Sequence, residues 1–172
     1  MYCLAGDDKQ RVFLLGNPVI WWGNIIFLIL FLIMYSYSSL KTQRGVAEAP
    51  EVAAERETTL VASAWFFLGW CLHYIPFWAM GRVLYIHHYY PALLFSSMMS
   101  ATLMDYMVRT VSRMLPTMVS STLVHTVLAV TLSTCWYSFY IFSPLAYGMY
   151  GDYARESNSS MHHLHWLETW EF

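Results

Sequence analysis

PVIWWGNIIFLILFLIMYSYSSL, from Pro18 to Leu40, decides how the rest of the chain is read. It carries no charge, and IIFLILFLIM at its centre is wholly apolar. A helix needs about 20 such residues to cross the hydrocarbon of a bilayer. Trp21 and Trp22 stand at one end and Tyr35 and Tyr37 toward the other, as aromatic side chains do at the two membrane–water interfaces. Pro18 suits a first helical turn, where an N–H has no partner to lose.

Outward from this run the pattern repeats. Lys41 to Thr59 is polar, but its second half, PEVAAERET, is made of helix formers, so Pro50 is placed to start a helix that continues into a second span at about 60–80. That span holds Gly69, His73 and Pro76, and Pro76 predicts a kink near its end. A third span is expected at about 90–108, with Pro91 in its first turn. Its small residues Ala92, Ser96, Ser97, Ser100 and Ala101 allow close helix approach in lipid. A fourth is expected at about 121–147. The fold class that follows is all-α, a polytopic membrane helix bundle of about four transmembrane helices. Residues 1–17 form a lead-in, 18–150 the four-span region and 151–172 an aromatic tail ending HHLHWLETWEF.

The whole composition agrees. The 172 residues are 58% hydrophobic and 12% charged, about half the charge of a soluble domain. Such a chain is too short and too apolar to be a self-sufficient soluble enzyme, and its partner is the lipid bilayer. A net charge of −2 without a basic stripe argues against nucleic acid. Cys3, Cys71 and Cys135 show no CxxC or Cys/His spacing, so neither a disulfide framework nor a zinc site is read. MYCLAGDDKQRVFLL lacks the basic start of a signal peptide. Either the first span serves for targeting or the chain is a piece of something longer.

Four spans put the N-terminal segment, the second loop and the tail on one side, with Lys9, Arg11, Arg82 and Arg155. Lys41, Arg44, Arg56, Arg109 and Arg113 lie on the other. The positive-inside rule makes the second set cytosolic. The sequon Asn158-Ser159-Ser160 is usable for N-glycosylation only if the tail is lumenal, which agrees.

GRVLYIHHYYP is the densest cluster of polar function. Arg82 can grip a phosphate bidentately, and Tyr85, His87, His88, Tyr89 and Tyr90 can donate hydrogen bonds to a phosphate or sugar. Together they suit the rim of a site for an anionic, lipid-linked ligand. The plainer reading is an aromatic-basic interface anchor. A metal on His87 and His88, with His162, His163 and His165 of the tail, is disfavoured because adjacent histidines diverge by about 100° on a helix. Asp105, the acid inside a span, lies one turn from Arg109 and reads as an ion pair. For His73 and His125 the ordinary reading is hydrogen bonding between helices, His73 being the better functional candidate. No nucleophile–base pair, phosphate loop or paired carboxylate site is visible, so no catalytic residue is assigned.

GDDKQRVFLLGNPVIWWGN, then FFLGWCLHYIPFWAMGRVLYIHHYYPALLFSSMMSATLMDY, then HWLETWEF resemble the C-terminal four-transmembrane region of the protein O-mannosyltransferases, animal members more than fungal ones. The resemblance covers nearly the whole chain. It implies a multi-pass protein of the endoplasmic reticulum membrane with a GT-C type fold and a lumenal C-terminus. It implies transfer of mannose from dolichyl-phosphate mannose, the donor substrate, to Ser or Thr of protein acceptors in the lumen. It also implies work as a hetero- or homo-dimer with another O-mannosyltransferase. In that family an N-terminal membrane half carries the catalytic acids in its first lumenal loop, and lumenal MIR domains follow it. Neither is in these residues, so the chain reads as a fragment or short isoform that supplies the lipid-donor groove. The alternative is a non-catalytic four-helix module that pairs with a partner subunit. A small transporter is disfavoured by the lack of an inverted repeat.

Overall fold

A computed structural model of the chain describes residues 10–11, 15–80, 86–150 and 162–168. Four long helices follow one another: α1, Pro18–Gln43; α2, Pro50–Ala79; α3, Ile86–Ser112; and α4, Thr117–Tyr147. Two-residue strands, β1 at Gln10–Arg11 and β2 at Met149–Tyr150, pair antiparallel. One 3-10 turn spans His162–Leu164. The chain is an all-α membrane protein. α1, α2 and α4 are each long and apolar enough to cross a bilayer. α3 has 27 residues, but His87, His88, four serines, Asp105 and Arg109 dilute its hydropathy; of these, Ser96, Ser97 and Ser100 serve contacts with α1.

Local chemistry sets the helix boundaries. The Asn17 side-chain oxygen accepts from the Val19 N–H at 3.1 Å, which caps the start of α1. Gly45, at φ 61, lets the chain leave α1 through a left-handed residue. α2 starts at Pro50, as the run of helix formers predicts, and continues past Pro76 to Ala79. α3 differs from expectation. Pro91 is its sixth residue and not in its first turn, because the helix begins back at Ile86. Packing of Tyr89 against Trp21 and Tyr74 offsets the N–H that Pro91 removes.

The chain divides into two compact units, residues 20–131 and residues 1–19 with 132–172. In the first, Leu28 and Phe31 of α1, Leu60 of α2 and Met99 and Leu103 of α3 form the core, with Phe67 and Trp70 packed against it. Outside that core much of the helix surface is apolar. Ile33 is 60% exposed and Leu72 63%. In water such exposure would drive aggregation; in lipid it costs nothing, since acyl chains are as apolar as leucine. In the second unit, Phe142, Leu145 and Leu164 are buried.

Candidate functional site

The residues expected to line a ligand rim gather at the start of α3. His87, His88, Tyr89 and Tyr90 lie in its first turns and not in a loop. His87, His88 and Tyr90 are exposed, while Tyr89 is half-buried. Two other helices bring aromatic rings to the same end. Trp21 of α1 lies 4.9 Å from the Tyr89 ring, and Tyr74 of α2 meets Tyr89 edge-on at 5.7 Å. Trp70 stacks on Tyr74 at 4.8 Å. His88 stacks on Phe77 at 5.0 Å, and the His87 and His88 rings are 4.0 Å apart. The Trp70 indole nitrogen is buried and finds no hydrogen-bond acceptor among the described residues. The first N–H groups of any helix lack acceptors one turn back, and the helix dipole makes that end electropositive. Imidazole and phenol donors beside such an end, against an aromatic wall, are chemically suited to an anion carried on a lipid or sugar. Arg82, Tyr85 and Asn158 lie outside the described residues.

Trp21, Tyr74 and Phe77 join this cluster without being expected there from the sequence. Their signal was present only as interfacial aromatic residues at the matching ends of spans one and two.

At the other end of the same unit charges are paired. Glu48 accepts from Lys41 Nζ at 2.8 Å and from the Arg56 guanidinium. The Lys41 hydrogen bond holds the Glu48 carboxyl below its ordinary value, opposed by partial burial and aided by the Arg56 charge. Asp105 pairs with Arg109 one turn on, as its spacing predicts. Glu55 of α2 adds a tie that the spacing did not show: it pairs with Arg113 and lies 3.8 Å from Arg109 Nε.

Between these ends two contacts fix the helices. The Asn24 amide of α1 donates to Ser96 Oγ at 3.1 Å and Ser97 Oγ at 2.9 Å of α3. Ser100 Oγ donates to Asn24 Oδ1 at 2.9 Å, sharing its proton with the Ser96 carbonyl at 2.8 Å. The small residues of α3 are thus partners for a buried amide as well as room for a neighbour. The second contact is at Gly69, where a Cβ would come within 2.6 Å of the Phe95 ring. His73 corrects an expectation. Among the described residues it hydrogen-bonds no other helix: Nδ1 bonds the Gly69 carbonyl of its own helix at 2.8 Å, and the side chain is exposed. His125 is also exposed, so neither intramembrane histidine hydrogen-bonds another helix among the described residues, although the His73 ring packs against Phe95 of α3 at 5.2 Å.

In the other unit, Asn17 Nδ2 donates to the Cys135 carbonyl at 3.0 Å. A mainly apolar cavity of about 180 Å³ lies between residues 15–17 and the α4 side chains Phe139, Phe142 and Ser143. Of the tail, Leu164 is buried, and Trp166 meets Phe142 edge-on at 4.7 Å. Among the described residues no group of three or more His, Cys, Asp or Glu side chains is gathered for a metal.

A family model described as the C-terminal four TMM region of protein-O-mannosyltransferase matches residues 1–170. The chain belongs to the protein O-mannosyltransferase family. The four membrane segments of that description equal α1 to α4 in number, with α3 included. Protein O-mannosyl-transferase 2 of Drosophila pseudoobscura pseudoobscura is 40% identical over 96% of this chain and 25% of its own length. Protein O-mannosyl-transferase 2 of Danio rerio is 43% identical over 98% of this chain and 22% of its own. A fungal relative, dolichyl-phosphate-mannose–protein mannosyltransferase 2 of Candida albicans, is 28% identical over 98% of this chain and 21% of its own. The chain therefore spans about a quarter of the length of the curated relatives it matches. No solved structure matches it.

Proposed function

We propose that this chain is the lipid-donor end of a dolichyl-phosphate-mannose:protein O-mannosyltransferase. It acts in the endoplasmic reticulum membrane with the start of α3 and the C-terminal tail on the lumenal side. The observation that carries the reading is the convergence of Trp21, Tyr74, Phe77 and His88 at the start of α3. The relatives' names supply the chemistry, since the Candida albicans protein is named for dolichyl-phosphate-mannose.

Mannose leaves a phosphate when it is transferred, and the leaving charge needs stabilisation. The start of α3 offers a dipole, imidazole donors at positions 87 and 88, and phenols at 89 and 90. Arg82, four residues before the helix, supplies the bidentate cation. Apolar helix faces hold the polyprenyl chain. The base that takes the acceptor hydroxyl proton comes from outside these residues, as no carboxylate stands among the side chains of this cluster. Residues 1–17, 18–150 and 151–172 divide into lead-in, four-span region and tail, with the acceptor Ser or Thr and a second O-mannosyltransferase subunit as partners.

In a family protein containing these residues, Arg82→Ala and His88→Ala are expected to lower donor-dependent mannose transfer by roughly tenfold or more, the loss of one charge-assisted hydrogen bond. The amount of membrane-inserted protein should stay constant. Unchanged transfer with both substitutions would remove the α3 start from the donor site.

A further inference from the structure

Two cations share one carboxylate where α1 turns into α2. Lys41 Nζ reaches one Glu48 oxygen at 2.8 Å, and Arg56 Nη1 donates to the other. The side chains of Lys41, Glu48 and Arg56 are 19%, 18% and 15% exposed, so the triad is largely buried and carries one positive charge in excess. Its backbone is fixed. The Val46 N–H donates to the Lys41 carbonyl at 3.2 Å and the Gly45 N–H to the Thr42 carbonyl at 3.1 Å, which closes α1 through the left-handed Gly45. The triad is therefore formed in advance of any ligand, which lowers the entropy lost on binding.

Arg56 is only partly spent. Nη1 is the nitrogen that meets Glu48, while Nε is buried and has no acceptor among the described residues, a costly state for an N–H. The Nε edge of a guanidinium can hold two oxygens of one phosphate side by side. Neighbouring acids do not cancel the excess charge. Glu55 is engaged by Arg113 and lies close to Arg109. Glu51 and Glu57 are exposed and stand about 140° and 100° around α2 from Arg56, where water and salt screen them. Depth narrows the ligand. Lys41 follows Leu40, the end of the first apolar run, and Arg56 precedes Leu60, the start of the second, by four residues. At 1.5 Å per residue that is about 6 Å beyond the hydrocarbon, inside a headgroup layer about 5–7 Å thick.

We propose that the Lys41–Glu48–Arg56 triad binds the phosphate of an anionic glycerophospholipid. Arg56 grips the phosphate through its Nε edge, and Lys41 and the exposed Arg44 neutralise the remaining charge. Both Glu48 oxygens are taken, so the triad offers no carboxylate to the ammonium of a choline or ethanolamine headgroup. That selects against zwitterionic lipids. In the orientation proposed above this end faces the cytosolic leaflet, which holds the anionic lipids. The orientation is the only premise shared with the donor-lipid reading, since the triad lies at the end of unit 20–131 away from the α3 start.

The test is native mass spectrometry of the full chain in detergent, with phosphatidylinositol or phosphatidylcholine of matched acyl chains added at equal concentration. Phosphatidylinositol is expected to bind about fivefold or more tighter than phosphatidylcholine, the preference that one cation at the membrane surface supplies. Arg56→Gln should abolish that preference, and Lys41→Gln reads the same loss if Arg56→Gln does not accumulate. Glu48→Gln should strengthen phosphatidylinositol binding by a similar factor, because it releases two cations; a residue that only braced the turn would not act in that direction. Excess inorganic phosphate should leave the lipid adduct in place. Equal binding of the two lipids, displacement by inorganic phosphate, or a preference that survives loss of the cations or fails to rise with Glu48→Gln would each overturn the proposal.

Discussion

Pro144 removes an N–H from the ladder of α4, and a single side chain decides the outcome. Ser143 spends its hydroxyl on the carbonyl that Pro144 strands, so α4 closes its own backbone. Glu48 is decisive at the same scale. Its carboxyl is held below the ordinary carboxylate value, first by the Lys41 hydrogen bond. A carboxyl depressed in the folded state contributes stability that is present above its unfolded pKa and is lost as pH falls through the folded one. Acidification below the ordinary glutamate range is therefore expected to weaken the α1–α2 turn, with Glu48→Gln removing that part of the pH dependence. Detergent unfolding midpoints measured across the acid range check this. An identical acid dependence in the variant would contradict the role of Glu48.

At the scale of the element, α3 is held by two contacts of opposite character, and each predicts a distinct response. Ser96→Ala with Ser97→Ala strands the Asn24 amide donor, which Asn24 itself keeps buried at 5% exposure. The expected cost is about 1–3 kcal/mol. Adding Asn24→Leu should recover part of it, because replacing both partners removes the stranded group. Steric-trap or detergent unfolding of the variants measures both steps. Gly69→Ala should cost about 1–3 kcal/mol through overpacking against Phe95, and Phe95→Leu should relieve it. Failure of that rescue would mean that the ring is not what excludes a Cβ.

The existence of these elements was legible in the sequence. The uncharged run at Ile25–Met34, the helix formers after Pro50 and the Asp105–Arg109 spacing each specify a local structure. What the sequence did not show is tertiary. Nothing local tells that Asn24 meets three serines more than seventy residues away, or that Glu55 meets Arg113. His73 was misread for the same reason: spacing cannot say which flank of α2 the other helices cover. The start of α3 was read as a loop because Pro91 normally marks a first turn, while ring packing by Tyr89 carries the helix back to Ile86. Its residues were read as the densest cluster of polar function, and His87, His88, Tyr89 and Tyr90 stand on the first turns of the helix.

At the scale of the whole molecule, the chain is a set of membrane helices with paired charges at one end of unit 20–131 and an aromatic, histidine-bearing cluster at the other. It covers about a quarter of the length of its curated relatives. In the proposed function the chain binds the donor and packs helices, and the proton-accepting chemistry comes from other residues. The direct measurement is mannose transfer from dolichyl-phosphate mannose to an acceptor peptide in microsomes. It compares this chain expressed alone with a family protein of full relative length in which it replaces the corresponding C-terminal quarter. No transfer is expected from the chain alone, and transfer is expected from the chimera. Transfer by the chain alone, or a chimera that inserts and accumulates but is inactive, would contradict the proposed function.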